Sequence, residues 1–182
     1  MQPTTILNPE QFELTINRLC FQLIENHKDF QNSAIIGLQP RGIYLANRLQ
    51  QKLKTLTGIT PQTGALDITF YRDDFGRKEQ PLIPSVTNLD FSIEEKKIIL
   101  VDDVLYTGRT VRAGMEAALG FGRPSKIELM VFIDRRFSRH LPIAPDYIGK
   151  SIDSLATERV EVKWKETDQE DTVILYNTHE KS

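Results

Sequence analysis

The stretch KIILVDDVLYTGRT, residues 97–110, decides the fold of this chain. Residues 98–101 form an unbroken apolar run, which is typical of a parallel strand buried on both faces. Asp102 and Asp103 follow the run, so we predict that the strand ends in two carboxylates. In an open α/β sheet, ligands bind at the carboxyl ends of the strands. The stretch therefore predicts a central strand that delivers two acids to a binding site.

A turn of small and polar residues follows the acids and leads into a helix predicted over residues 111–119. The turn contains Tyr106, Thr107, Gly108, Arg109 and Thr110. Unpaired backbone N–H groups, two hydroxyls and the positive end of a helix dipole make a good phosphate site. Carboxylates beside it can accept hydrogen bonds from a ribose diol, so we predict a sugar-phosphate ligand. The alternative is structural: the acids only end the strand, and Thr110 only caps the helix.

Strands and helices alternate on both sides of this stretch. Amphipathic spacing predicts helices over residues 10–28 and 43–53, and apolar or alternating patterns predict strands over 33–38, 65–71 and 126–133. Residues 160–164 and 172–176 predict an antiparallel hairpin, whose acidic connection at residues 168–171 we expect to be solvated. The fold class is therefore α/β, with a central, mainly parallel sheet flanked by helices in a single domain over residues 1–182.

Composition excludes several classes of protein. The 182 residues carry a formal net charge of −2, so any nucleic-acid contact needs a local basic patch. Cys20 is the one cysteine, which excludes a disulfide framework. The amino terminus lacks the pattern of a secretory signal, and no apolar stretch is long enough to span a membrane. We expect a cytoplasmic protein with no membrane partner.

The stretch IILVDDVLYTGRT resembles the phosphoribosyl-diphosphate (PRPP) motif of the type I phosphoribosyltransferases, and within that superfamily it is most similar to the PyrR family. That family combines pyrimidine operon attenuation with uracil phosphoribosyltransferase activity. Further similar segments follow in chain order: RGIYLA at residues 41–46, DITFYRDD at 67–74, GRPSKIEL at 122–129 and LPIAPDYIGK at 141–150. The resemblance covers most of the chain.

The resemblance implies the type I phosphoribosyltransferase fold, with a flexible lid loop after Arg72 and a carboxyl-terminal β-hairpin. It implies that uracil and PRPP form UMP and pyrophosphate, with Mg²⁺ bound mostly through PRPP and water beside Asp102 and Asp103. The implied catalytic residues are Arg41, Arg72, Asp102 and Asp103. The implied PRPP and nucleotide site consists of Pro40, Arg41, Gly42, Asp102, Asp103, Val104, Leu105, Tyr106, Thr107, Gly108, Arg109 and Thr110.

One position in the motif bears on the choice of base. Tyr106 stands where hypoxanthine-guanine relatives carry an aspartate that contacts the purine, so the resemblance favours a pyrimidine. It implies a base pocket near Asp134, Arg135 and Ile148. For Asp134 and Arg135 a structural salt bridge is the alternative.

The resemblance also implies a regulator in which UMP or UTP promotes binding to pyrimidine-operon mRNA, on a homodimer or a higher homo-oligomer. The candidate RNA contacts are Arg18, Lys28, Arg139, His140 and Lys150. The chain departs from its relatives at Phe21 and Ala144, where a histidine and an arginine are common. Three alternatives stay open: a regulator with weak or no catalysis, a phosphoribosyltransferase for another base such as orotate or xanthine, and a receiver domain.

Overall fold

The computed structural model describes residues 3–72 and 85–177. In chain order its strands are β1 (Thr4–Leu7), β2 (Ser33–Leu38), β3 (Gln62–Leu66), β4 (Lys97–Leu105), β5 (Lys126–Arg136), β6 (Tyr147–Asp153), β7 (Glu158–Lys163) and β8 (Thr172–Asn177). The helices are α1 (Pro9–His27), α2 (Gly42–Thr57), α3 (Arg109–Leu119) and α4 (Lys165–Asp168), and a short 3₁₀ helix covers Thr69–Tyr71. None of the helices in the described segments is long and apolar enough to cross a membrane.

Five of the strands form one sheet in the order β3-β2-β4-β5-β6, and every neighbouring pair is parallel. The predicted fold class, a central parallel sheet flanked by helices, is confirmed. A second, antiparallel sheet has the order β1-β8-β7. Its β7 and β8 are the two strands predicted for the hairpin, whereas β1 was not predicted.

The central strand β4 is covered on both faces, which explains its unbroken apolar run. Ile99 and Val101 pack in a core with α1, α2 and the small sheet, while Ile98 and Leu100 pack in a second core with α3. All four side chains have no exposed surface. Because neither face meets water, the strand has no polar position between the exposed Lys97 at its start and Asp102.

Helix α1 begins at a capping box formed by Asn8 and Gln11. The Asn8 side chain accepts a hydrogen bond from the Gln11 N–H at 2.9 Å, and the Gln11 side chain accepts one from the Asn8 N–H at 3.1 Å. Two N–H groups of the first turn are thereby satisfied, which stabilises the helix by about 1 kcal/mol. The cap fixes how the chain passes from the small sheet to the central one.

Several predicted strand boundaries are wrong, and one of them is the end of β5, which continues past residue 133 to Arg136. Strand β4 does not end in the acids but continues through them to Leu105 and pairs with β5 along that length. The predicted strand over residues 65–71 ends at Leu66, because Asp67 accepts hydrogen bonds from the N–H and hydroxyl of Thr69 and turns the chain into the 3₁₀ helix. The predicted lid loop follows Arg72 and falls on residues 73–84, which lie outside the described residues.

Candidate functional site

The site lies where the strand order of the central sheet reverses, between β2 and β4. From β2 the chain leaves to the edge strand β3, and from β4 it leaves towards β5 on the other side. The loops after these two strands therefore diverge and leave a crevice at the carboxyl edge. Arg41 follows β2, and Asp102 and Asp103 lie near the end of β4, so topology alone brings an arginine and two acids together.

Asp102 and Asp103 are almost buried, with 7% and 9% of their surface exposed, and they serve opposite faces of the sheet. Successive side chains of a strand alternate in direction. Asp102 lines a cavity on the α3 side together with Arg72. Asp103 accepts a hydrogen bond from Arg41 Nε at 3.1 Å. Asp103 is therefore bonded to Arg41, while Asp102 shares its cavity with Arg72.

Both carboxylates are costly to ionise in this environment. Burial raises the pKa of Asp102 well above its ordinary value of 3.8, and the charge of Asp103 raises it further; the Asp103 N–H and the charge of Arg72 act in the opposite direction. Burial also raises the pKa of Asp103, although the charge and hydrogen bond of Arg41 oppose the shift. A ligand that brings hydroxyl donors or a cation would stabilise the ionised pair.

The cavity beside Asp102 has a volume of about 530 Å³. Its wall is the turn after β4 and the first turn of α3, and the complete lining is Arg72, Asp102, Val104, Leu105, Tyr106, Thr107, Gly108, Arg109, Thr110 and Val111. Gly108 precedes the helix with φ of +90°, a conformation that favours glycine. The predicted phosphate turn thus opens onto a cavity of ligand size, with the positive end of a helix dipole in its wall.

Arg41 and Gly42 begin helix α2 directly behind the acids. A Cβ at Gly42 would collide with the Val101 carbonyl, so the glycine lets α2 approach the backbone of β4. The resemblance places Gly42 in the PRPP site, and the packing gives this glycine a role in the contact between helix and strand. Pro40, in the same loop, follows a cis peptide bond and is exposed.

The three residues predicted near the base are held by protein contacts. Asp134 pairs with Arg139, while Arg135 stacks its guanidinium 4.1 Å from the centre of the Tyr106 ring. Arg135 also donates to the Ser154 hydroxyl at 2.8 Å and to the carbonyls of Leu155 and Glu158, just before and at the beginning of β7. Asp134, Arg135 and Ile148 do not belong to the described lining of the cavity. Arg135 contacts a residue of that lining, Tyr106, through its stacked guanidinium.

Of the five candidate RNA contacts, two have their guanidinium groups engaged within the chain. Arg18 donates to the carbonyls of Ile148 and Gly149 on β6. Arg139 binds Asp134 and the carbonyls of residues 105, 106, 135 and 143, so it organises the loop after β5. Lys28, His140 and Lys150 are exposed.

Asp168, in the acidic connection between β7 and β8, belongs to the site's framework. Our prediction that this connection is solvated is wrong for Asp168 and Asp171, whereas Gln169 and Glu170 are exposed. Asp168 accepts a hydrogen bond from Arg41 Nη2 at 3.2 Å, and Glu166 and Asp171 both bind Arg48. Sequence reasoning missed these contacts because they join positions more than 110 residues apart. The available signal was Trp164, a large side chain that ties the start of this segment to the core.

The donors present suit a hard cation only in part. Asp102 and Asp103 provide carboxylate oxygens, the ligands that Mg²⁺ prefers. Among residues 3–72 and 85–177, no three His, Cys, Asp or Glu side chains converge on one point. A cation at this edge would therefore take most of its ligands from a bound phosphate and from water.

Comparison with known proteins gives the same picture over the whole chain. Residues 3–167 match the phosphoribosyl transferase domain family. The bifunctional protein PyrR of Elusimicrobium minutum is 46% identical over 171 residues, which cover 93% of this chain and 94% of that protein. The bifunctional protein PyrR of Bacillus cereus is 41% identical over 179 residues, covering 97% and 98%.

Solved structures share the fold at much lower identity. A hypoxanthine phosphoribosyltransferase from Staphylococcus aureus superposes with a TM-score of 0.73 at 17% identity and covers 98% of this chain and 94% of that one. The hypoxanthine phosphoribosyltransferase of Trypanosoma cruzi in complex with the product IMP gives 0.73 at 15% identity, covering 96% and 94%. At these identities the likeness extends to the fold alone.

Proposed function

Because the chain belongs to the PyrR family of phosphoribosyltransferases, we propose that it transfers the phosphoribosyl group of PRPP to uracil and forms UMP and pyrophosphate. The observation that carries the proposal is the buried acid pair at the strand-order reversal, beside a cavity walled by a helix N-terminus. This arrangement suits a ribose phosphate. The carboxylates accept from sugar hydroxyls, and the turn at residues 107–110 binds the 5′-phosphate.

The reaction needs a ribose held in place while its bond to pyrophosphate breaks. Positive charge develops on the sugar as that bond lengthens, and the carboxylates of Asp102 and Asp103 offset it. Fixing the 5′-phosphate at Thr107, Gly108 and Thr110 orients the anomeric carbon towards the base. The uracil nitrogen forms the new bond to the anomeric carbon and gives up its proton to the departing pyrophosphate or to water, while the pyrophosphate keeps the electron pair of the broken bond.

The departing pyrophosphate is a polyanion that requires cations. Arg41 and Arg72 contribute positive charge at opposite faces of the acid pair, and both act electrostatically on these carboxylates. When bound beside Asp102 and Asp103, Mg²⁺ supplies further charge neutralisation to the leaving group. The residues fit such an ion because PRPP itself would complete its ligands.

Tyr106 favours uracil over a purine. Its ring is stacked on Arg135 and 39% exposed at the cavity wall, so it offers an aromatic surface and not the carboxylate expected for a purine ring. Through this stack, Arg135 contributes to the base pocket together with Asp134 and Ile148. A hypoxanthine ring would lose an acid partner here.

The test is UMP formation from PRPP and Mg²⁺ with uracil, orotate, hypoxanthine and xanthine assayed in parallel. We expect turnover with uracil alone. Turnover with a different base would identify that base as the substrate in place of uracil. No turnover with any base would overturn the catalytic proposal in favour of a nucleotide-sensing regulator.

A second function is favoured because the relatives at 41–46% identity are named bifunctional. We propose nucleotide-dependent binding to a stem-loop of pyrimidine-operon mRNA, with Lys28, His140 and Lys150 among the contacts. Since Arg18 and Arg139 are engaged internally, phosphate contacts should be fewer than the sequence suggested. Binding that does not weaken steeply with salt, or that ignores UMP and UTP, would contradict this function.

A homo-oligomer is proposed from the surface of α1. Leu14 and Phe21 lie two turns apart on one face and are 60% and 54% exposed. Covering such a face with a second copy would remove both side chains from water. Light scattering on the purified chain tests this, and a monomer at assay concentration would exclude it.

A further inference from the structure

The loop that carries Arg41 is tied to the connection between β7 and β8, on the far side of the acid pair. Arg41 Nε donates to Asp103 at 3.1 Å. Its Nη2 donates to Asp168 at 3.2 Å and to the Val162 carbonyl. One guanidinium group therefore bridges the central strand β4 and the small sheet.

Asp168 is itself held firmly. Its Oδ2 accepts hydrogen bonds from the backbone N–H of Trp164 at 2.9 Å and from the Thr167 hydroxyl at 3.0 Å. The Trp164 ring is completely buried and packs edge-on against Phe12, with ring centres 5.0 Å apart. The Trp164 N–H is the main reason that the pKa of Asp168 lies below its ordinary value, so the carboxylate is charged at neutral pH. Arg41 thus rests against an acceptor whose position the core determines.

The remaining donors of Arg41 fit a pyrophosphate ligand. The hydrogen bonds recorded for this side chain within the described residues use Nε and Nη2, which leaves the N–H groups of Nη1 for a ligand. The side chain is 36% exposed, so a ligand can reach it. An unrestrained arginine would have to be ordered on binding, and prior ordering removes that cost.

We infer that Asp168 is a positioning residue that orients Arg41 for the pyrophosphate of PRPP. The inference rests on the proposed transferase function and adds the connection between β7 and β8 to the pyrophosphate site. A carboxylate near a polyanion also repels it. The charge of Asp168 is already offset by three donors, so orientation dominates over repulsion.

The experiment compares Asp168→Asn with Asp171→Asn. Asp171 lies in the same connection and makes the same type of bond, to Arg48 Nη2 at 2.7 Å, but away from the acid pair. We expect Asp168→Asn to raise the KM for PRPP roughly 3- to 10-fold with the KM for uracil unchanged, and Asp171→Asn to leave both unchanged. Binding of PRPP by calorimetry should show the same contrast.

A side-chain NMR signal gives a readout that loss of stability alone would not move. The Arg41 Nε–H resonance, assigned with Arg41→Lys, should be sharp in the parent and in Asp171→Asn and should shift or broaden in Asp168→Asn. An unchanged or lower KM for PRPP in Asp168→Asn, or equal effects in both variants, would overturn the inference. A parent protein that neither binds PRPP nor forms UMP would instead overturn the proposed function, whatever the Arg41 resonance shows.

Discussion

The central sheet buries charged and polar side chains at both ends of its strands. The amino ends of the strands form the amino edge and their carboxyl ends the carboxyl edge, and the buried groups at these two edges have different kinds of partner. At the amino edge, His27 contacts the Ser33 hydroxyl at 2.7 Å and Glu128 at 2.9 Å, and Tyr147 donates to the same Glu128 oxygen at 2.8 Å. At the carboxyl edge, Asp102 accepts a hydrogen bond from the N–H of its own neighbour, and burial holds its pKa up. Among the described residues, the first cluster joins a carboxylate to a hydroxyl and a histidine, whereas the second places two carboxylates side by side in a buried position.

The pKa values show the same contrast. Burial tends to raise the pKa of Glu128, but its hydrogen bonds to Lys126 and Tyr147 and the interaction with His27 outweigh that effect and lower the pKa. The pKa values of Asp102 and Asp103 are raised. Buried titratable groups therefore do not mark a functional site by themselves. A buried carboxylate whose pKa the protein leaves raised is the better indicator, because a ligand can stabilise its ionised form.

The largest expected effect comes from a substitution at the carboxyl edge. Asp103→Asn removes one charge from the acid pair and the partner of Arg41 Nε, so we expect uracil turnover to fall about 100-fold or more. The matched change at the amino edge, Glu128→Gln, should retain turnover at a temperature where it is folded. Initial rates of UMP formation measure both. Equal losses in the two variants would mean that the edges do not differ in function.

The second-largest effect comes from a substitution at the amino edge. His27→Ala removes the buried partner of the Ser33 hydroxyl and one of the two buried partners of Glu128, which keeps Tyr147, so the free energy of unfolding should fall by about 2–3 kcal/mol. Activity per folded molecule should stay within about twofold, since the cluster lies at the other end of the strands. Urea denaturation measures the loss, with exposed Glu25→Ala on the same helix as the control. A stable variant with impaired turnover would reverse our assignment of the two edges.

A smaller effect has the opposite sign. Asp102→Asn relieves the repulsion within the buried acid pair, so the protein should gain about 1 kcal/mol of stability at pH 7 while it loses activity. Thermal denaturation of the variant and the parent tests this. Destabilisation would show that Asp102 is satisfied by the protein and that the carboxyl edge carries no strain.

The smallest effect is a difference between the two edges in how their contribution to stability depends on pH. A raised folded-state pKa means that the native protein binds more protons than the unfolded chain, so ionising Asp102 costs stability as pH rises above its ordinary value of 3.8. The advantage of Asp102→Asn over the parent should therefore grow with pH until Asp102 is ionised in the folded protein.

The lowered pKa of Glu128 has the opposite consequence. Its stabilisation is present above its ordinary value of 4.5 and is lost as pH falls through the folded-state value. The deficit of Glu128→Gln relative to the parent should therefore shrink as the medium becomes acidic. Unfolding free energies of the two variants and the parent between about pH 3 and 8 measure both trends. Trends in the same direction would contradict the contrast between the edges.

Much of the fold could be predicted because its signals are local. The apolar run at residues 98–101 specifies a strand buried on two faces, and β2 begins and ends at the predicted residues. The strand predicted over residues 65–71 failed after Leu66, since a side-chain turn at Asp67 overrides the alternating pattern. Boundaries of this kind depend on single hydrogen bonds, which periodicity does not register.

The sequence by itself predicted the buried central strand, the acid pair and the turn that we propose binds phosphate, because each depends on residues that are neighbours in the chain. Only the tertiary structure decided that Arg72 lies on the side of Asp102 and Arg41 on that of Asp103, and that Asp168 accepts a hydrogen bond from Arg41 across a separation of 127 positions. The physical reason is that a charged side chain looks alike in sequence whether it is solvated or paired. Its partner is chosen by how the strands are ordered and how the small sheet packs against them.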